Sequence, residues 1–226
     1  MNLWIIIELY SKVNIIFTIF IIKPRRKTPV TYERSMDMTV YHGSNTQDIK
    51  ILKPNLADHD RPYVYTSSLE PVAAFYLCSA VERPYYWFPY GFEKGDNVPV
   101  YHELYRNALR EVSDGVSGCI YEVEAQEGQV IHFKNIPFSW LATEPVPVKG
   151  CCRVDNAYSL FMEFERSGKI RISRFEEKTA AKLDRWYKMI LNYITEKNMR
   201  DTPRCSYAVF IREKFPWVWE RYIREK

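Results

Sequence analysis

The longest periodic stretch of the chain, residues 176–197, sets Leu183, Trp186, Tyr187, Ile190, Leu191 and Ile194 at about 3.6-residue spacing, the pattern of a helix with one buried face. Nothing upstream sustains that period. Short runs of β-formers read as strands there: Thr39–His42, Tyr63–Thr66, Cys119–Ala125, Val130–Phe133 and Glu144–Val148. Ser67-Ser68 offers an N-cap, with Pro71 in the first turn of a helix to about Val81. A second helix is expected over His102–Val112 and a last one over Tyr207–Tyr222. Residues 45–61 read as loop with one helical turn, and 83–99 as an aromatic, Pro/Gly-punctuated loop. Short strands first and long helices last make an α+β fold the expectation.

Three segments follow from composition. Residues 3–22 are mainly apolar and long enough to span a bilayer, but Glu8 and Lys12 lie inside them, and Lys23, Arg25, Arg26 and Lys27 follow. Residues 1–35 are therefore expected to be an apolar and basic extension. It is either a membrane-associated helix with the rest of the chain in the cytoplasm, or a preface to translation from Met36 or Met38. Residues 36–175 are the expected catalytic domain, with 176–226 a basic helical extension packed on it. The net charge of +4 belongs to residues 1–35; residues 36–164 carry −7 and residues 165–226 carry +7. That asymmetry makes the C-terminal part a candidate basic face for a phosphate-rich partner. Hydrophobic residues at 46% exclude a disordered chain. Cys78, Cys119, Cys151, Cys152 and Cys205 have no zinc spacing and read as scattered reduced thiols of a cytoplasmic protein.

Chemistry concentrates in residues 39–81. Tyr41-His42-Gly43-Ser44 ends a strand, with a glycine that lets a ligand approach the backbone. Tyr65-Thr66-Ser67 lies on the next strand, and Tyr76 follows eleven residues after Tyr65 on the succeeding helix. Two tyrosines so placed can hold a flat aromatic ligand between their rings. In this order the segments resemble the ADP-ribosyltransferase superfamily, in its diphtheria-toxin-like and poly(ADP-ribose)-polymerase-like branch with a His-Tyr-Glu signature. The similarity covers under a third of the chain.

The resemblance implies a split antiparallel sheet with NAD bound in a central cleft as substrate and no metal. It implies transfer of ADP-ribose to a macromolecular acceptor with release of nicotinamide, as in a toxin or modifier that an antitoxin restrains. His42 would contact the ADP-ribose part, the Gly43 backbone the nicotinamide amide, and Ser44 and Thr66 would add polar contacts. Tyr65 and Tyr76 would flank the ring. A carboxylate opening a later strand would stabilise the positive charge that develops at the anomeric carbon. Glu144, at the start of Glu144-Pro145-Val146-Pro147-Val148, is the expected one, with Glu122, Glu124 and Glu163 as competitors. Pro145 and Pro147 each remove a backbone donor, so that strand must be an edge or irregular one. A silent module of the same fold that binds a nucleotide or nucleic acid is the alternative. The sequence has no GxSxG elbow, GxGxxG or Walker loop.

Overall fold

The computed structural model describes residues 5–6, 38–56, 61–78, 90–93, 95–126, 128–133 and 138–225. Its strands are β1 (Ile5–Ile6), β2 (Met38–Ser44), β3 (Ile51–Leu52), β4 (Val64–Ser67), β5 (Tyr90–Phe92), β6 (Pro99–His102), β7 (Gly118–Ala125), β8 (Ile131–His132), β9 (Ser139–Ala142), β10 (Val146–Pro147), β11 (Gly150–Val154) and β12 (Arg171–Ser173). The helices are α1 (Glu70–Phe75), α2 (Ala108–Ser113), α3 (Ala157–Arg166), α4 (Ala180–Glu196), α5 (Ser206–Lys214) and α6 (Pro216–Arg224).

The principal sheet is antiparallel throughout, in the order β11-β7-β2-β4-β9-β8. A second sheet runs β1-β5-β6-β12 and is parallel only between β6 and β12. The chain is thus α+β. Alternation along β2 and β7 gives the main sheet two apolar faces. Val40, Val64, Tyr121, Val123 and Ala142 pack on one, closed by Leu52 and Val146 of the β3–β10 ribbon. Ile120 and Val154 belong to the other core, which also takes in α1, α3 and all three C-terminal helices through Phe75, Phe161, Ile190, Ile194, Ile211 and Phe215. Residues of 176–226 thus contribute to a core that also includes residues of the sheet.

Several expectations are corrected. The end of the 83–99 loop contributes β5 and the start of β6; residues 79–89 and 94 lie outside the described ones. The helix expected over 102–112 begins only at Ala108. His102 still belongs to β6, and Asn107 takes a left-handed φ of 59° that separates the two. The final helix is two, because Pro216 cannot continue α5 and instead opens α6. The loop after Ser44 holds strand β3 and no helix among its described residues. Of the strand expected over 144–148, only Val146 and Pro147 pair, with Leu52 and Ile51.

Of residues 3–22 only Ile5 and Ile6 are described, as a strand paired with Phe92 and Gly91. No helix among the described residues is long and apolar enough to cross a membrane. The opposed charges of the two halves meet each other. Lys169 pairs with Glu70 (2.9 Å), Arg171 with Glu93 (3.1 Å) and Asp96 (2.6 Å), and Lys214 with Glu111 (2.7 Å). Three cations of the C-terminal part, Lys169, Arg171 and Lys214, are thus paired with acids of the preceding half.

Candidate nucleotide-binding site

Seven successive residues of β2, Met38 to Ser44, pair with β7 on one side. On the other side β2 meets β4 at a single position, Tyr41 opposite Ser67. Past that point the two strands part, and the bond that crosses the opening comes from a side chain. Nδ1 of His42 donates to the Tyr65 carbonyl oxygen at 2.7 Å. Burial holds the His42 imidazole below its ordinary value, against the opposing pull of that carbonyl, so the ring is neutral near pH 7. With Nδ1 carrying the proton, Nε2 has a free lone pair and can accept from a hydroxyl such as a ribose 2′-OH.

Gly43 sits where α1 crosses the opening. A Cβ at this position would lie 1.9 Å from the Ala73 carbonyl oxygen, so only glycine lets the helix come this close to the strand. Strand period 2 and the Tyr41–Ser67 pair put Gly43 and Tyr65 on the same face, the one that α1 covers. Tyr65 stands edge-on to Tyr63, with ring centroids 6.1 Å apart. Tyr76, 40% exposed, follows the last residue of α1. Burial, followed by Tyr76, pushes the neighbouring Tyr90 phenol well above its ordinary value. Tyr90 itself stacks on Phe75 at 4.7 Å, which anchors the end of α1 below Tyr76. Gly43 and Tyr65 thus share the face that α1 covers, and Tyr76 follows that helix, while His42, opposite Tyr121, springs from the other face and reaches β4 through its bond to the Tyr65 carbonyl.

Two expected polar contacts have other employment. The Ser44 hydroxyl accepts from the Thr46 backbone at 3.1 Å and turns the chain out of β2. Thr66 is buried, and its hydroxyl donates to the Trp140 carbonyl at 3.0 Å, tying β4 to β9.

The carboxylate is not brought to the site. β9 pairs with β4 in the register Tyr65–Leu141 and Val64–Ala142, and Phe138, Ser139, Trp140, Leu141 and Ala142 carry no acid at all. Glu144 comes three residues after Leu141, about 10 Å further along the strand direction, in an exposed turn beyond the paired end of β4. Glu163 is exposed on α3, and exposed Glu124 is bound to Lys149 at 2.8 Å. Glu122 is half-buried, directly opposite Tyr41, on the face that Gly43 and Tyr65 share. Its Oε2 leans towards Gly150 of β11, lying 3.7 Å from where a Cβ there would be and thus on the side away from β2. Pairing register is a long-range property, and no local signal in the sequence marks which glutamate it brings alongside Tyr65.

Among the described residues no three His, Cys, Asp or Glu side chains converge to hold a metal ion. Comparison with protein-family models, with curated proteins and with solved structures finds no match for the chain.

Proposed function

We propose that this chain binds a dinucleotide of the NAD type in the opening between β2 and β4, as a nucleotide-binding module of ADP-ribosyltransferase-like design. One observation carries the reading: the strands part immediately after Tyr41–Ser67, and neutral His42 bridges the gap with Nε2 left to accept. Tyr65 on the face that α1 covers and the exposed Tyr76 at the end of α1 are the rings available to a flat ligand, and the Nε2 lone pair suits a ribose hydroxyl.

Binding is the first reading, since departure of nicotinamide needs an anion close to the developing positive charge and the residues of β9 beside β4 carry none. ADP-ribosyl transfer, with its macromolecular acceptor, is the second reading. It rests on Glu122, which a rotamer change could swing from Gly150 towards Tyr41. Calorimetry with NAD and with nicotinamide, beside a nicotinamide-release assay, separates the two. Binding without release, lost in His42→Ala, supports the module. Release abolished by Glu122→Gln or Glu144→Gln identifies a transferase and its carboxylate. Absence of binding by either ligand overturns both readings.

A further inference from the structure

β11 ends the principal sheet: it pairs with β7 on one side, and among the described residues no strand lies on the other. Its central residues, Cys151, Cys152 and Arg153, are all exposed. Among the described residues no backbone bond from outside the β7 ladder reaches them. Such an edge keeps N–H and C=O groups that a further strand can take up. It is five residues long, Gly150 to Val154.

The strand that complements this edge is β11 itself. In an antiparallel pair, residues directly opposite each other both point their backbone groups towards the partner or both point them away. A strand that pairs with its own copy about a two-fold axis therefore sets one residue opposite itself. Full overlap of Gly150–Val154 makes that residue the middle one, Cys152. Cys151 then faces Arg153 of the second copy, Gly150 faces Val154, and one residue further out Lys149 faces Asp155. Unlike charges meet at both ends, and like charges meet nowhere. The nearest alternatives slide one copy by two residues. One of them sets Arg153 against Arg153, and the other sets Lys149 against Arg153. Like charges directly opposite destabilise a sheet, so the centred register is the one the charges select. Lys149 also meets Glu124 of its own chain at 2.8 Å, and its sign alone enters this choice.

We propose that β11 is a self-association edge, through which two copies of the chain join their principal sheets into one antiparallel sheet centred on Cys152. The pairing is independent of nucleotide binding, because β2 and β4 lie further into the sheet. A single five-residue strand pair is a small interface of the kind that dissociates on dilution. The two-fold axis brings the two Cys152 residues directly opposite each other. Cα separations of about 4.5–5.5 Å at such positions lie inside the range a disulfide spans. The Cys152 thiol is free and exposed, with the Arg153 carbonyl 3.8 Å away. An azo oxidant such as diamide can therefore trap the dimer: it takes up two electrons and two protons from the two thiols, and one S–S bond forms.

Sedimentation velocity of the full chain under reducing conditions, over about a hundredfold range of concentration, reads the association. Thermal midpoints show that each variant folds. Wild type should shift from monomer towards dimer as concentration rises. Asp155→Lys makes both end pairs like-charged and should weaken the dimer about tenfold. Adding Lys149→Asp makes them unlike again and should recover most of that loss. With diamide, wild type should give a covalent dimer on non-reducing gels, and Cys151→Ser should give it too. Cys152→Ser should lose the cross-link and keep the concentration-dependent shift. A wild type that stays monomeric throughout overturns the proposal. So does a cross-link that survives Cys152→Ser, or a double charge variant that associates no better than Asp155→Lys.

Discussion

The two flanks of β2 are made of similar residues and behave differently. Towards β7 the strand zips over seven pairs with buried Val40 beneath; towards β4 it pairs once and opens. The closed flank stabilises the sheet, and the open one exchanges ladder hydrogen bonds for a histidine side-chain bond and a glycine that lets α1 pack directly on the strand. A sheet opened in its middle, rather than at its edge, keeps rigid strands on both sides of the gap, which is what a preorganised site requires.

Substitutions on the closed flank should therefore cost the most stability. Tyr121 is fully buried opposite His42, and its hydroxyl donates to the Thr46 carbonyl (2.8 Å) while accepting from Ile49 N (3.1 Å). Tyr121→Ala should lose roughly 3–5 kcal/mol in urea unfolding, as buried aromatic truncations do. Tyr121→Phe should lose only about 0.5–1.5 kcal/mol per hydrogen bond, because Thr46 is exposed and Ile49 half-buried, so water can replace the hydroxyl. A change below 1 kcal/mol for the alanine variant would mean that β7 does not hold β2 as described.

Acid should probe the second sheet and the open flank separately. His102, 7% exposed on β6, is pushed down to about 4 by burial and then by Lys178 and Lys182. A histidine depressed in the folded state binds fewer protons there than in the unfolded chain, so stability is full above about pH 6.5 and falls as pH drops towards 4. The shift corresponds to roughly 3 kcal/mol across that window. His102→Gln should flatten the acid limb of urea midpoints measured from pH 7.5 to 4. His42 is shifted in the same direction, and protonation of Nε2 removes the proposed ribose acceptor. NAD affinity should therefore stay level from pH 8 to 6.5 and decline below it. Affinity that rises on acidification would remove His42 from the ligand.

Gly43 comes next in size because it belongs to both flanks. A methyl group 1.9 Å from a backbone oxygen forces α1 away from β2, and overpacking of this kind costs about 1–3 kcal/mol. Gly43→Ala should thus lower stability modestly and abolish ligand binding. Full binding in a folded Gly43→Ala protein would show that the ligand does not lie under α1.

What was legible in the sequence was local. The alternation of residues 119–125, the strand ending at His42 and the amphipathic face of α4 each follow from side chains within one element. β11 gave no signal, since Cys151, Cys152 and Arg153 are all exposed on an edge strand and no alternation marks them. The position of Glu144 depends on strand order rather than on local pattern. Its segment does begin next to a short strand, but β10 pairs with β3, and the neighbour of β4 is β9, which ends at Ala142, two residues before Glu144. The charge partition was visible, yet which cations meet acids of the other half depends on tertiary placement, as in the Lys169–Glu70 and Arg171–Asp96 pairs.

The smallest effect is the most discriminating about the open flank. Thr66 was an expected ligand contact, but its hydroxyl is spent on the Trp140 carbonyl and its side chain is buried on the face opposite Tyr65. Thr66→Val keeps the shape and the β propensity, so it should cost only about 0.5–1.5 kcal/mol, the net worth of one hydrogen bond. NAD affinity should be unchanged in the same variant. A loss of affinity without a matching loss of stability would mean that the ligand reaches the β9 side of β4 and extends over Trp140.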